Sequence, residues 1–402
     1  MMFPSPILSA MALAGLIFLP VSTWAQSVVT GGATEPQALY EVILPADGVQ
    51  FSYVGTGSGA AKNAVLNNNG ALFGHPGRSV PMAASDLRIT PAEDAAYTVA
   101  HITSPATPAD QWGPVLQMPA YVMAVGIPFN KTNVSGIPEA LNFRRVATSL
   151  APDVLDLCGI FSGRITAWTQ IAGSNRTGPI TVLYRADHSG TSVLLGNYLN
   201  AACSGSTEIN LTGGAYDVDQ SSFAAQFPGG AVPANFLAVA GSDAMDAAVV
   251  STQGAVGYAS VDTLGPLVSD TSRVAQVAGA SATAVNIVAA ASSLAPPIGS
   301  AGGLTRAAWM PNFGNPASGY PIVGFSSLVV SQCFIGADPN GTYNTMMEFL
   351  NGLYASSTLP GVAALPAAWR IAAVNTFLNN ASGRYMNIQN GSICNLQGKP
   401  LL

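Results

Sequence analysis

The chain has 402 residues, of which 14 are Lys or Arg and 20 are Asp or Glu. That makes it 8% charged, against about 25% in an ordinary soluble domain, while hydrophobic residues hold an ordinary 49%. A chain this sparse in charge, at net −6, excludes charge-driven disorder and lacks the basic face that nucleic acid requires.

The first element is residues 1–25. Met11-Ala-Leu-Ala-Gly-Leu-Ile-Phe-Leu19 is a short apolar core, and Thr23-Trp-Ala25 sets small residues at the −3 and −1 positions of a cut. This is the pattern of a secretory signal peptide, and the chain beyond it is long enough for two folded units. Strands and helices then alternate. Residues 27–30 read as a strand and 36–44 as a helix with Pro36 at its first position. Residues 50–55 and 60–66 repeat strand and helix, as do 180–185 and a helix through Leu194, Leu195 and Leu199. Such alternation predicts an α/β fold. Two β-rich segments, Val115–Pro128 and 320–333, are candidates for paired crossover strands between two lobes. The uncharged stretch between Arg273 and Arg306 reads as sheet and loop, and two helices, 343–354 and 367–378, come last.

Four cysteines, Cys158, Cys203, Cys333 and Cys394, suggest two disulfides in an exported chain, with three connectivities open. Sequential pairing keeps each bridge within one half of the chain. No Cys-x-x-Cys occurs and His75, His101 and His188 form no ligand spacing, so neither a zinc site nor another cofactor is expected.

Four short segments carry the chemistry. Gly31-Gly-Ala-Thr34-Glu35-Pro36 and Gly55-Thr-Gly57-Ser58-Gly59 are Gly-rich turns entering helices, and Ala84-Ser85-Asp86 ends an apolar run. Arg185-Ala-Asp187-His188-Ser189-Gly190-Thr191-Ser192 lies between strand and helix. Helix starts leave backbone N–H groups unpaired and carry partial positive charge, which suits an oxyanion. Thr34, Ser58, Ser189 and Thr191 add hydroxyls, and Arg185 adds one planar, forked cation. Asp187 is expected to orient Arg185, and His188 to face solvent or pack. Asp86 repels an anion unless that anion brings a proton, which phosphate does near neutral pH and sulfate does not.

These segments resemble the phosphate-binding components of bacterial phosphate ABC importers, and more closely the DING branch of that superfamily. Gly31-Gly-Ala-Thr-Glu-Pro-Gln-Ala-Leu-Tyr40 is similar to the DING amino-terminal signature, and Leu157-Cys-Gly-Ile-Phe-Ser-Gly-Arg-Ile-Thr-Ala-Trp168 to the family's Phe-Ser-Gly-Arg…Trp segment. Arg185-Ala-Asp-His-Ser-Gly-Thr-Ser192 matches the importers' Arg-x-Asp-x-Ser-Gly-Thr motif.

The resemblance implies a two-lobed periplasmic-binding-protein fold of type II, with a cleft between the lobes and two crossover strands. On that template 26–125 is the first part of lobe 1, 126–319 is lobe 2, and 320–402 returns to lobe 1 and its C-terminal helices. The implied ligand is inorganic phosphate, held by Thr34, the backbone N–H of Glu35, Ser58, Asp86, Arg185, Ser189, Gly190 and Thr191. Sequential disulfides are implied, as is delivery to a phosphate ABC transporter by a monomeric periplasmic or secreted protein.

Three departures stand out. The family takes its name from an Asp-Ile-Asn-Gly start, where this chain reads Ser27-Val-Val-Thr30. Glu35 takes a place the family keeps apolar, and its side chain is expected to point away from the anion. Residues 69–81 read as a long loop near the cleft. Competing readings are a phosphoester hydrolase using the same pocket, with Asp86, Asp187 or His188 as base, and an extracellular adhesion protein.

Overall fold

The computed structural model describes residues 28–43, 51–130, 140–146, 151–299, 301–338, 341–359 and 361–401. The segment 1–25, read as a signal peptide, lies outside them. Val28–Gly32 (β1) pairs in parallel with Phe51–Gly55 (β2), and Gln37–Ile43 (α1) crosses between them. Ser58–Leu66 (α2) then returns the chain to Met82–Ser85 (β3), on the other side of β1. Short parallel strands separated by helices are the units the alternating sequence foretold.

Val115–Pro128 (β4) is buried along its whole length. Residues 115–124 pair antiparallel with Val323–Ser331 (β11), which also pairs with β3. Past Ala124 the same strand changes partners, to Ala259–Ser260 (β9) and then Val274–Val277 (β10), which carries Asn142–Phe143 (β5). A strand with water on neither side needs no polar alternation, which is why β4 and β11 read as near-continuous apolar runs. The crossover pair was thus legible. Its second member is trimmed at both ends from the expected 320–333.

The second lobe is built on Thr181–Arg185 (β6), flanked in parallel by Phe236–Val239 (β7) and Ala255–Val256 (β8). Gly190–Ala202 (α5) follows β6. A bridge between Phe129 and Val256 ties this sheet to the end of β4. Phe161, Tyr184, Phe223, Phe236 and Tyr258 form its aromatic core, with ring centroids 5.5–6.4 Å apart. The Arg176 guanidinium sits 4.4 Å from the Phe129 ring centre and 4.8 Å from that of Trp168, a cation held by π-faces deep in the fold.

Cys158 bonds Cys203 and Cys333 bonds Cys394, the sequential pairing. Two expectations need correction. The 273–306 stretch is part helix: Ala284–Ala291 is half alanine, the strongest helix former, and buries Ile287, Ala290 and Ala291 on one side. The 69–81 segment is turned away from the cleft: Gly70–Phe73 is a short 3-10 helix, and Phe73 packs with Val29, Ala61, Val65 and Val80. Among the described residues no helix is long and apolar enough to cross a membrane.

Candidate functional site

The C-terminal ends of β1, β2 and β3 lie side by side, so the turns that follow them meet. Gly32 has φ +125°, and a Cβ there would lie 2.1 Å from the Ala84 carbonyl. Only glycine permits so close an approach of backbones. Thr34 and Glu35 follow on one side, with Ser58 at the start of α2 on the other.

The Ser58 hydroxyl donates to Asp86 Oδ2 at 3.2 Å and accepts from the Asp86 amide at 3.1 Å. Ser326, on β11, donates to Asp86 Oδ1 at 2.7 Å. Burial pushes the Asp86 pKa up to about 6, and these hydroxyl donors pull against that rise. Near neutral pH the group is an anion that can accept a proton.

From the second lobe, β6 delivers Arg185 and α5 begins directly after it. Arg185 Nε and Nη2 donate to the two oxygens of Asp187 at 2.8 and 2.5 Å. Nη1 donates to Thr191 Oγ1 at 3.0 Å and to the Ser242 hydroxyl at 2.6 Å. Burial opposes charge on both partners, but the Arg185 fork still holds the Asp187 carboxyl below the usual carboxylate range. Ser189 caps α5, its Oγ accepting from the Ser192 amide at 3.0 Å. The amides of Gly190 and Thr191 remain in the first turn, where no intrahelical acceptor exists.

Thr34, Glu35, Ser58, Asp86, Arg185, Asp187, Ser189 and Gly190 all line one cavity of about 470 Å³. Thr191 reaches it through Arg185. A larger cavity of about 820 Å³ opens beside Arg88 and Asp219. Its Lys62, Arg88 and Arg306 each form an ion pair with a carboxylate, and its Arg384 donates to the Ile298 carbonyl.

Three residues escaped the sequence reading. Ser242 bridges the lobes, accepting from Arg185 and donating to Glu35 Oε1 at 3.3 Å. Gly241-Ser242-Asp243 opens the helix Asp243–Ser251, the same small-residue helix start that marked the other segments, so a signal was present. Asp262 lines the cavity from beyond β9, and Ser326 sits within β11. Neither carries a local motif.

Glu35 is the correction that matters. Its carboxyl does not turn away: Oε1 meets Ser242, and Oε2 is buried without a hydrogen-bond partner. Burial raises its pKa well above the ordinary carboxyl value and Asp262 and Asp86 raise it further, while the Ser260 hydroxyl and Arg185 pull against that rise. His188 bonds Ser221 through Nδ1 at 2.8 Å. The Ser189 hydroxyl is engaged by Thr191 and Ser192, so the adjacent His188 and Ser189 do not form a base–nucleophile pair.

A family model described as a PBP superfamily domain matches residues 15–351. The chain is 35% identical over 396 residues to Alkaline phosphatase L of Pseudomonas aeruginosa strain UCBPP-PA14, covering 92% of this chain and 93% of that one. It is 33% identical over 404 residues to a Phosphate-binding protein of an unknown prokaryotic organism, covering 92% and 99%. Among solved structures it is similar to the phosphate binding protein from Stenotrophomonas maltophilia, at 35% identity and TM-score 0.75 over 93% of this chain and 100% of that one. It is also similar to PfluDING, a high affinity periplasmic phosphate-binding protein bound with phosphate, at 33% identity and TM-score 0.76 over 94% and 100%.

Proposed function

Because this chain belongs to the PBP superfamily, and within it to the DING-type phosphate-binding proteins, we propose that it binds inorganic phosphate between its two lobes. The observation that carries this is the confrontation across one cleft of the Arg185 fork and the α5 start with the Asp86 carboxyl. Arg185, the Thr34 hydroxyl and the amides of Glu35, Gly190 and Thr191 supply donors, and the hydroxyls of Ser58, Ser189 and Thr191 join them by turning from their present partners to the anion. Asp86 accepts the hydrogen that phosphate retains and sulfate lacks, which discriminates between two anions of the same shape.

The donors are divided between residues 26–125 with 320–402 on one side and 126–319 on the other. Binding therefore draws the lobes together about β4 and β11, a hinge closure of the kind known for two-lobed binding proteins. The protein acts in the periplasm or outside the cell, as a monomer, and hands phosphate to a membrane transporter. The periplasmic neighbour and the two disulfides support that compartment.

The name of the Pseudomonas relatives favours one second reading, a phosphomonoesterase using the same cleft. The His188 ring, bonded to Ser221 and not to Ser189, weighs against it. Calorimetric titration with phosphate and with sulfate tests the first reading. Phosphate binding in the micromolar range or tighter, with sulfate far weaker, is the expected result; no phosphate binding overturns it. Turnover of a chromogenic phosphoester that Arg185→Ala abolishes would establish the second.

A further inference from the structure

Glu35 is an unusual neighbour for an anion. Its Oε1 accepts from the Ser242 hydroxyl at 3.3 Å, and that hydroxyl accepts from Arg185 Nη1 at 2.6 Å. The carboxyl therefore reaches from the first lobe toward the cation of the second, into the space that Ser58, Asp86 and Gly190 also line. Its Oε2 is buried beside the Ser260 hydroxyl, which lowers the Glu35 pKa in part but donates to Asp262 Oδ1 and leaves Oε2 without a donor of its own. A buried carboxylate oxygen without a donor is strongly disfavoured unless it carries a proton or meets one.

The surroundings supply no second cation to relieve it. Asp262 and Ser260 face Glu35 from the β9 side, Asp86 from the end of β3, and Arg185 from the end of β6. Asp187, His188, Asp243 and Glu41 complete the titratable lining, and Tyr53 and Tyr121 lie close enough to feel its charge. One permanent cation, Arg185, stands among six carboxyls, and Asp187 already holds it through two hydrogen bonds. A phosphate dianion beside an ionised Glu35 would set like charges in contact in a water-poor site.

From this geometry we infer that Glu35 is a specificity-determining residue that admits phosphate only together with one additional proton, shared between its carboxyl and a ligand oxygen. The inference rests on the phosphate reading above. Asp86 meets the hydrogen that the dianion already carries, and Glu35 requires a second, which the carboxyl already holds where burial keeps it protonated and which comes from solvent at higher pH, where the free carboxyl has lost it. Whether that proton is drawn on Glu35 or on the ligand, the pair has the same total charge and the same hydrogen bond. Burial and the nearby Asp262 and Asp86 favour the protonated carboxyl in the same direction. The ligand class is thus a tetrahedral oxyanion offering or accepting two protons at adjacent oxygens. Affinity follows pH more steeply than Asp86 alone would make it.

Titration calorimetry of the whole protein with inorganic phosphate, repeated in buffers of different ionisation enthalpy, counts the protons directly. At the alkaline end of the pH series, above the second pKa of phosphate and where free Glu35 has given up its proton, the wild type is expected to take up about one proton per phosphate, with affinity falling about tenfold per pH unit. Glu35→Gln is expected to take up almost none and to hold its affinity nearly level, binding phosphate at least about tenfold more tightly than wild type at the alkaline end. A wild-type proton count that stays near zero through the whole alkaline range overturns the inference by itself, without reference to the variant. So do equal counts and slopes in both proteins, and either result leaves phosphate binding intact. If neither protein binds phosphate at any pH while both melt cooperatively, the phosphate reading fails and takes this one with it.

Discussion

Gly190, at the start of α5, lies so close to Asp86 that a Cβ built on it would sit 2.4 Å from the Asp86 Cβ. Here the lobes meet across the site, where a hydrogen-bond donor helix start faces the acidic acceptor. A glycine is needed for space, since any side chain would strike Asp86. Gly190→Ala is therefore expected to hold the lobes apart and weaken phosphate binding by about 1–3 kcal/mol, with the circular dichroism spectrum unchanged. Calorimetry showing wild-type affinity in the variant would remove this contact from the account.

On the proposed reading, Asp86 carries the discrimination between tetrahedral anions. Asp86→Asn keeps the shape and can still accept from Ser58 or Ser326, but its NH2 group becomes a donor toward the ligand. The ratio of phosphate to sulfate affinity is expected to fall by at least about tenfold, about 1.4 kcal/mol, mostly through a gain for sulfate. Parallel titrations with the two anions near neutral pH, above the carboxyl's value of about 6, measure the ratio directly.

Lys399 gives stability a pH dependence remote from the site. Its Nζ donates to the carbonyls of Val65 and Val80 at 2.6 and 3.1 Å and lies 5.2 Å over the Trp112 ring. Burial lowers its pKa to about 7. The unfolded chain then binds the more protons between about pH 7 and 10, so the Lys399 contribution to stability rises with pH through that window. Urea denaturation at about pH 7 and 9 is expected to show this gain, about 1–2 kcal/mol. Lys399→Met should flatten the profile.

The two disulfides differ in what they tie. Cys158–Cys203 joins the helix Val154–Phe161 to the end of α5 across 45 residues, and Cys333–Cys394 fastens the C-terminal segment beside β11 across 61. Replacing either pair with alanine is expected to cost about 2–4 kcal/mol of stability. The Cys158–Cys203 loss should also weaken phosphate binding, because α5 presents Ser189, Gly190 and Thr191. Thermal melting with and without phosphate separates the two effects, and an equal phosphate-induced rise in Tm for both variants would show that α5 is placed without its disulfide.

Much of the site could be read before folding, for a local reason. Arg185, Asp187, Ser189, Gly190 and Thr191 fall within one strand-to-helix turn, so one short string already holds the cation, its orienting partner and the helix start. Val115–Pro128 was legible because a strand buried on both faces cannot alternate. Ser326 and Asp262 were illegible: one is a serine inside a buried strand, the other an aspartate in a short helical turn. Nothing near either in sequence marks it. The 69–81 segment misled because glycine and proline announce turns without saying toward which face the turn folds.

By itself, then, the sequence determined the repertoire: an α/β chain with few charges, helix starts rich in hydroxyls and amides, one arginine fork and one telling carboxylate. These are properties of residues near one another along the chain. Only the tertiary structure decided which way Glu35 points, that Ser242 links it to Arg185, and how many carboxyls crowd one cation. Proton affinity depends on burial and on charges brought together from β1, β3, β6 and β9, and no local pattern records that convergence. The low charge of the whole chain conceals a cleft in which charge is concentrated and almost all of one sign.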